Sequence, residues 1–293
     1  GISFILFSIM NLTPGDPATI ALGLAASEEE LDAWREERGL NDPFFSRYFK
    51  MMTSMLHGDF GKSYRTNQMV RDEVFPRVPT TLILATGSAL FMILIGIPVG
   101  IISAYKQYTI VDNVSMLLAL IITSMPAFWL GLLLILVFSL KLDWLPPMGI
   151  ESARSFILPC ITLASAMTAS LLRMTRSSML EVIRQDYIRT ARAKGATEKR
   201  VIFKHALRNA LLPVITVIGL SYGAMFGGAM VTETVFAIPG IGSMLVNSVR
   251  MKDTPVVVMC VIIIAVFISL INLVVDVLYT YVDPRLKTQF VKN

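Results

Sequence analysis

The sequence predicts an all-α membrane protein with six transmembrane helices, the first of them truncated at the start of the chain. Hydrophobic residues make up 54% of the 293 residues and charged residues only 16%, whereas soluble domains carry roughly 25% charged residues. The uncharged residues are also gathered into long stretches, and about 20 helical residues cross a bilayer. This composition excludes an ordinary soluble enzyme and a disordered chain.

Charge-free stretches give the positions of the spans. They cover residues 1–15, 78–105, 113–140, 155–172, 209–232 and 254–275. The last five are long enough to span, and in lipid they must be helical because an open strand leaves backbone groups unpaired. The first is too short, so we expect residues 1–13 to be the outer half of a span that begins earlier in the full protein. A cleaved signal peptide is the alternative, although no small-residue cleavage pattern follows.

Positive charges orient these spans. Residues 173–208 carry ten Lys/Arg and three acids, and the tail after Asp283 adds Arg285, Lys287 and Lys292. Short cytoplasmic loops collect Lys and Arg, so both segments are expected in the cytoplasm. Residues 14–79 then form an extracytoplasmic insert, and residues 80–293 a core of five transmembrane helices. The net charge of +5 therefore indicates orientation rather than nucleic-acid binding.

The extracytoplasmic insert has two helix signals. Ser27 followed by three glutamates is typical of a capped helix start, with Gly39 as its stop. Residues 43–56 carry apolar side chains at helical spacing, and residues 57–61 form a turn. The triplet at residues 61–63, Gly-Lys-Ser, resembles the end of a phosphate-binding loop, but Leu56 stands where that loop needs glycine. We therefore expect any ATPase that drives this protein to be a separate chain.

Metal and disulfide chemistry are not indicated. His57 and His205 lie outside any metal-ligand spacing, so no metal site is predicted. Cys160 and Cys260 lie within predicted spans, where each is expected to serve as a small apolar side chain.

Two further features lie within or beside the spans. Glu233 and Asp276 are the acids nearest to lipid depth, and since both are near helix ends we expect them to reach water and act as anchors. Gly219, Gly223 and Gly227 recur every four residues, a spacing that lets helices approach closely. This helix-packing seam fits packing within the chain or against another subunit, and the sequence leaves the two open.

The cytoplasmic segment between the fourth and fifth spans predicts a helix–turn–helix elbow within residues 177–209. Helix-forming residues run from Asp186 into Gly195, a typical helix end, and Thr197 is placed to cap a second helix. Ala191, Ala193, Gly195 and Ala196 keep the bend free of bulk, so it can enter a groove of a partner. The basic flanks can pair with acids there or with lipid headgroups.

This elbow resembles the cytoplasmic signature of ABC-importer permeases, in the dipeptide/oligopeptide/nickel branch. The general family signature is Glu-Ala-Ala, three residues and Gly, and here the triplet is Arg189-Thr190-Ala191, a form typical of the peptide branch. Leu212-Pro213 also comes later than the general pattern expects. Further stretches look like family landmarks in the same order: residues 14–17, 58–63, 144–149, 235–242 and 283–285.

The resemblance implies the type I ABC importer permease (MetI-like) fold in a bacterial or archaeal plasma (inner) membrane. It implies a non-catalytic permease subunit, paired with a second homologous permease and two ATP-binding subunits that hold ATP and Mg. An extracytoplasmic substrate-binding protein would deliver the cargo. Peptide import is the leading hypothesis, nickel or metal-chelate uptake the alternative within the class, and a stand-alone secondary transporter the alternative outside it.

Two contact regions follow from this resemblance. The coupling helix that meets an ATP-binding subunit would comprise Tyr187, Arg189, Thr190, Ala191, Arg192, Ala193, Lys194, Gly195, Ala196 and Thr197. The outer loop after the fifth span is expected to contact the binding protein through Ala237, Ile238, Pro239, Gly240, Ile241, Gly242 and Ser243.

Overall fold

A computed structural model describes residues 1–282, which are almost entirely helical, as the sequence predicts. The landmark at residues 283–285 and the basic tail lie outside the described residues. The chain divides into two units. The first unit comprises residues 1–82 and 237–266, and the second comprises residues 83–236 and 267–282.

The helices are named α1 to α14 in chain order. In the first half of the chain they are α1 (Ile2–Leu12), α2 (Pro17–Leu22), α3 (Glu28–Glu37), α4 (Phe44–Leu56), α5 (Val70–Val74), α6 (Val78–Tyr105), α7 (Ile110–Ser124) and α8 (Ala127–Leu134). They continue with α9 (Ile157–Ile183), α10 (Asp186–Ala193), α11 (Glu198–Arg200), α12 (Leu207–Val235), α13 (Ile241–Arg250) and α14 (Thr254–Val282). Short 3-10 turns precede α6 and α9, and π-helical turns follow α8 and precede α12.

Four long apolar helices are able to cross a membrane by length and composition. They are Val70–Tyr105, Ala153–Ile183, Glu198–Val235 and Thr254–Val277. Each contains one of the predicted charge-free stretches. α1 is apolar but has only 11 residues, so by itself it is too short to cross.

The predicted span at residues 113–140 is wrong as a single helix. The structure breaks it into α7 and α8, which meet at an angle of 107°. Proline lacks an amide hydrogen and biases the residue before it toward extended backbone. Met125, before Pro126, accordingly adopts φ −86° and ψ 132°, which ends α7. The pair is either one broken span or a re-entrant segment.

In the first unit, Asp16 joins α2 to α3. Its carboxylate accepts hydrogen bonds from the backbone amides of Ala18 and Thr19, both at 3.2 Å, and so caps α2. The guanidinium of Arg35 on α3 donates to the same carboxylate at 2.7 Å. Beside this ion pair Ala18 packs with Leu31 and Trp34 in a small apolar core. The landmark at residues 14–17 thus includes the start of α2, which is tied through Asp16 to the next helix, α3.

Asp253 explains the Gly-Lys-Ser triplet. Its carboxylate accepts hydrogen bonds from the hydroxyl of Ser63 at 2.5 Å and from the backbone amide of Tyr64 at 3.0 Å. Both Ser63 and Asp253 are buried. The serine therefore fixes the insert to the segment before α14, a structural role that has no relation to phosphate binding.

Lys252, the neighbour of Asp253, closes the end of α1. Its ammonium donates to the carbonyl oxygens of Thr13 and Gly15. Burial lowers the pKa of this amine, while the charge of Asp16 opposes that shift. A lysine that is only 7% exposed thus provides a hydrogen-bond partner for the carbonyl of Thr13 at the end of α1 and for that of Gly15 just after it.

The second unit is built around α9, against which α7, α8 and α12 pack. Glycines allow the closest contacts. A Cβ at Gly100 of α6 would lie 2.7 Å from the Cβ of Thr175 on α9, and one at Gly228 of α12 would lie 2.9 Å from the side chain of Leu163. Real Cβ atoms do not come so close, so these helices reach α9 only because glycine stands there.

We expect Asp16→Asn to remove an acid-sensitive contribution to stability. Burial raises the pKa of Asp16, but hydrogen bonds from Arg35, Thr19 and Ala18 outweigh it and lower that pKa to about 2. A carboxylate with a lowered folded-state pKa stabilises the fold above its unfolded pKa and loses this effect as pH falls from about 4 toward 2. Asp16→Asn should lower the unfolding free energy at pH 7 by roughly 1–2 kcal/mol, since partial exposure weakens the pair.

The measurement is thermal unfolding of the purified protein in nanodiscs between pH 7 and pH 3. Glu29→Gln, a change at an exposed acid on α3, is the matched control. Equal pH dependence in the Asp16→Asn protein and the unsubstituted protein would contradict the assignment.

Candidate functional site

The cytoplasmic elbow consists of α10, a short turn and the helical segment that leads into α12. α9 ends at Ile183, and α10 covers Asp186–Ala193. After the turn, α11 and a π-helical segment (Val201–Ala206) continue into α12. The helix–turn–helix arrangement is the one that the sequence predicts.

Gly195 makes the turn. Its φ of +83° is a conformation that side chains with a Cβ rarely adopt. The amide of Gly195 donates to the carbonyl of Arg192 at 2.9 Å and the amide of Ala196 to that of Ala191 at 3.2 Å, which is the Schellman helix end. Thr197 is placed at the start of α11, but its side chain makes no capping hydrogen bond, so that part of the prediction is wrong.

An ion pair between Arg192 and Glu198 spans the same turn. The guanidinium of Arg192 donates to both carboxylate oxygens of Glu198, with Nε–Oε1 at 2.7 Å and Nη2–Oε2 at 3.3 Å. The hydrogen bond to Glu198 raises the pKa of Arg192. Exposed pairs contribute little stability, but a two-point contact holds the two helices at one angle. Arg192 is thus paired within the chain.

Ile188 anchors the elbow, although it is not among the contact residues that the sequence predicts. Its side chain is fully buried. It belongs to an apolar cluster, here called the elbow cluster, of Ile101, Ala104, Met179, Ile188, Val201, Ile202, Ala206 and Ala210. These residues come from the ends of α6 and α9, from α10, and from the helical segment that runs into α12. Ile188 is the only β-branched apolar residue of α10, a signal that the sequence offered.

The ten predicted contact residues lie around this anchor. Eight are exposed: Tyr187, Arg189, Thr190, Arg192, Ala193, Lys194, Gly195 and Thr197. Ala191 and Ala196 are half-buried, and Ala196 packs against the elbow cluster. A Cβ at Gly195 would meet no atom within 4 Å, so the bend leaves open space on its outer side.

A buried polar clamp supports the elbow from within the second unit. Asp112 on α7 accepts two hydrogen bonds from Arg176 of α9, at 2.6 and 2.7 Å, and one from Ser103 of α6 at 2.5 Å. The backbone amide of Tyr108 adds a fourth at 2.9 Å. Sequence reasoning missed the clamp because Arg176 counted only as one more positive charge. It fixes three helix segments beside the elbow cluster.

The outer loop departs from its expected exposure. Ile238, Gly240, Ile241 and Gly242 are buried and Ser243 is half-buried, because residues 241–250 form α13, whose apolar face packs inward. The backbone amide of Ile241 donates to the hydroxyl of Thr81 at 2.9 Å. Ala237 and Pro239 are the exposed members of the set, and contact of this loop with a binding protein stays a prediction.

The remaining predicted features lie in α12. A Cβ at Gly219 would lie 2.2 Å from Val275 of α14, so this glycine packs within the chain. A Cβ at Gly223 would lie 3.9 Å from Asn272 and Ile268 of the same helix, and a Cβ at Gly227 would meet no atom within 4 Å. Glu233 was expected to reach water, but it is fully buried, which corrects that expectation.

Comparison with known proteins gives two family matches. Residues 96–288 match the family described as binding-protein-dependent transport system inner membrane component. Residues 1–85 match the N-terminal membrane component of the same systems. The two matches cover most of the chain, including α1 and the elbow.

Characterised relatives are similar over nearly the whole chain. A dipeptide transport system permease protein of Alkalihalophilus pseudofirmus is 41% identical over 98% of this chain and 95% of its own length. An oligopeptide transport system permease protein of Bacillus subtilis is 42% identical over 98% and 94%. A glutathione transport system permease protein of Escherichia coli is 41% identical over 98% and 94%.

A solved structure shares the fold. The MetNI methionine ABC transporter in an inward-facing conformation matches with a TM-score of 0.58 at 20% identity, over 71% of this chain and 95% of that chain. At this identity the likeness concerns the fold alone, and it confirms the type I importer permease architecture.

Ile188→Ala should loosen the elbow without disturbing the spans. Truncating a buried isoleucine costs about 2–5 kcal/mol because it removes contacts and leaves a cavity. We expect faster amide hydrogen exchange in residues 186–198 and unchanged exchange in α9. Tyr187→Ala, a larger truncation at an exposed neighbour, is the control and should leave exchange nearly unchanged. Equal effects of the two substitutions would show that Ile188 is no anchor.

Proposed function

Because this chain belongs to the family of binding-protein-dependent transport system inner membrane components, we propose that it is the permease subunit of an ATP-driven ABC importer of di- and oligopeptides. It is a multi-pass protein of the plasma membrane. In this proposal the chain forms half of the translocation pathway, and ATP is hydrolysed on separate subunits.

The similarity to three peptide-transport permeases carries the cargo assignment. The relatives named above are permeases for dipeptides, oligopeptides and glutathione, which is itself a tripeptide derivative, each at about two-fifths identity over 98% of this chain. The chemistry common to those cargoes is a short peptide.

In the proposed mechanism, the elbow transmits movement from an ATP-binding subunit to the transmembrane helices. An ATP-binding subunit contacts the exposed residues around Gly195 and moves when it binds ATP. The Schellman turn and the Arg192–Glu198 pair keep the elbow in one shape, so that it moves as a body. Ile188 passes the movement through the elbow cluster to the ends of α6, α9 and α12. Such rigid-body shifts at an interface are an established route for converting a partner's two states into a helix rearrangement.

The proposal requires partners that supply what this chain lacks. A second homologous permease completes the pathway, two ATP-binding subunits dock on the cytoplasmic elbows, and an extracytoplasmic binding protein delivers the cargo. A stand-alone secondary transporter is disfavoured, since the family is binding-protein-dependent. Nickel or a metal chelate is the alternative cargo.

Reconstitution tests both the assembly and the cargo. The chain is co-expressed with the permease, ATP-binding and binding-protein genes beside it, and the purified complex is placed in liposomes. We expect ATP-dependent accumulation of a radiolabelled tripeptide. Uptake without ATP-binding subunits would overturn the importer assignment, and accumulation of ⁶³Ni-chelate but no peptide would replace the cargo.

Gly195→Trp should block transport while the protein still folds and inserts. The indole occupies the open space on the outer side of the bend, where the ATP-binding subunit is proposed to dock. Gly195→Ala is the matched control, because alanine carries the same backbone strain at positive φ and adds little bulk. We expect cargo-stimulated ATPase activity to be lost in the Trp variant and largely kept in the Ala variant. Normal stimulation with Trp would refute docking at the bend.

A further inference from the structure

Helix α4 of the insert has two separate apolar stripes. Phe44, Tyr48, Met51 and Met55 form one, and Phe45, Phe49, Met52 and Leu56 form the other, each with spacing of four, three and four residues along the helix. Side chains at this spacing lie on one face. The polar residues Ser46, Arg47, Lys50, Thr53 and Ser54 occupy the remaining face. The helix is thus strongly amphipathic.

The first stripe packs against α1. Phe44 lies edge-to-face on Phe4 with ring centres 6.1 Å apart, and Tyr48 lies on the same ring at 5.2 Å. Phe7 contacts both aromatic rings, at 5.2 and 5.6 Å. The hydroxyls of Ser3 and Tyr48 are 3.1 Å apart. Ser3 also donates to the Sδ of Met52 at 3.4 Å, so α1 contacts Phe44 and Tyr48 of the first stripe and Met52 of the second. Met51 and Met55 of the first stripe line a cleft instead.

Apart from Met52, which is half-buried beside Ser3 of α1, the second stripe is not covered by the described chain. Phe45 and Phe49 are each 63% exposed and Leu56 is 86% exposed. On the polar side, Arg47, Lys50 and Ser54 help to line an open cleft of about 620 Å³. α4 thus has α1 on one side, an open polar cleft on another, and an uncovered apolar stripe on the third.

The crossing point sets the depth of α4. Its contacts fall on Ser3 to Phe7, which precede the outer end of α1 at Leu12 by roughly 8–14 Å along the helix at 1.5 Å per residue. α1 itself exposes Ile2, Ile5 and Ile9, each more than half. These three isoleucines lie on the side of α1 opposite to the residues that contact α4, so α1 exposes apolar side chains at the same level as α4 does, below the polar segment that begins at Pro14. In-plane amphipathic helices bury their apolar face about 5–10 Å into a bilayer, which matches this depth.

We propose that α4 is a membrane-embedded helix: it lies across α1 in the outer leaflet and inserts Phe45, Phe49 and Leu56 among the lipid acyl chains. The insert at residues 14–79 is then partly a lipid-anchored segment rather than a wholly aqueous cap. The three exposed apolar side chains bury their surface in lipid, which stabilises the position of the insert against the bilayer.

Spin-label accessibility in the assembled transporter tests this proposal. The full-length chain, with both cysteines replaced, is assembled with its partners in lipid nanodiscs, and a nitroxide is attached at Phe49→Cys or at Lys50→Cys. Oxygen concentrates in the bilayer and a nickel chelate in water. We expect collision with oxygen to exceed collision with the nickel chelate at position 49, and the order to reverse at the adjacent position 50.

Two results would overturn the proposal. A label at position 49 that collides mainly with the nickel chelate faces water. A label there that is shielded from both reagents is covered by protein, such as a partner subunit or the binding protein. Phe45→Cys with Ser46→Cys repeats the comparison one turn earlier, so that a folding defect in one variant leaves the test intact.

Discussion

The close approach of other helices to α9 is the constraint on which the rest of the second unit depends. In a bilayer no hydrophobic force drives helices together, so packing at small residues must do so. Glycines of α6, α8 and α12 face Thr175, Thr162 and Leu163 of α9, respectively, and leave no room for a Cβ at the tightest of these points. α9 also carries Arg176 and Met179, so the helix that holds the spans together holds the clamp and the elbow cluster as well.

This arrangement links two unlike kinds of contact. In the Asp112–Arg176 pair the carboxylate is buried while the arginine stays about one-fifth exposed, and removing one partner of such a pair is costly. The elbow cluster is apolar, so its contacts depend on the fit of side chains rather than on bond direction. Around the elbow, the geometry is therefore set by directional polar bonds at Asp112 and by shape at Ile188. A displacement of α10 reaches α6, α9 and α12 together, since all three meet at the same cluster.

The sequence predicts what depends on composition and on local backbone rules. Four spans follow from missing charge, the helix at residues 28–37 from its Ser27 cap, and the turn at Gly195 from its place after a helical run. The sequence does not predict contacts between distant residues. Nothing in the sequence pairs Ser63 with Asp253 or Asp112 with Arg176, because only the fold brings these polar residues together. The same reasoning missed the 107° break, because it treated residues 113–140 as one span on missing charge alone, although Pro126 lies within them. The sequence analysis treated the outer loop as exposed, because the apolar residues of α13 fall on one face only when residues 241–250 are arranged as a helix.

The burial pattern of the elbow also bears on how a partner could drive it. A partner shifts a conformational equilibrium only by binding the two states with different free energy. A floppy elbow would adapt to the partner in both states and dissipate that difference. Here the turn is fixed by Gly195 and by the Arg192–Glu198 pair, and Ile188 ties it to the spans, while eight of the ten predicted contact residues stay exposed. A stiff joint with an exposed outer surface is what the transfer of a binding difference requires. The exposed residues alone would not provide it, and that makes Ile188 as much a part of the site as the residues that surround Gly195.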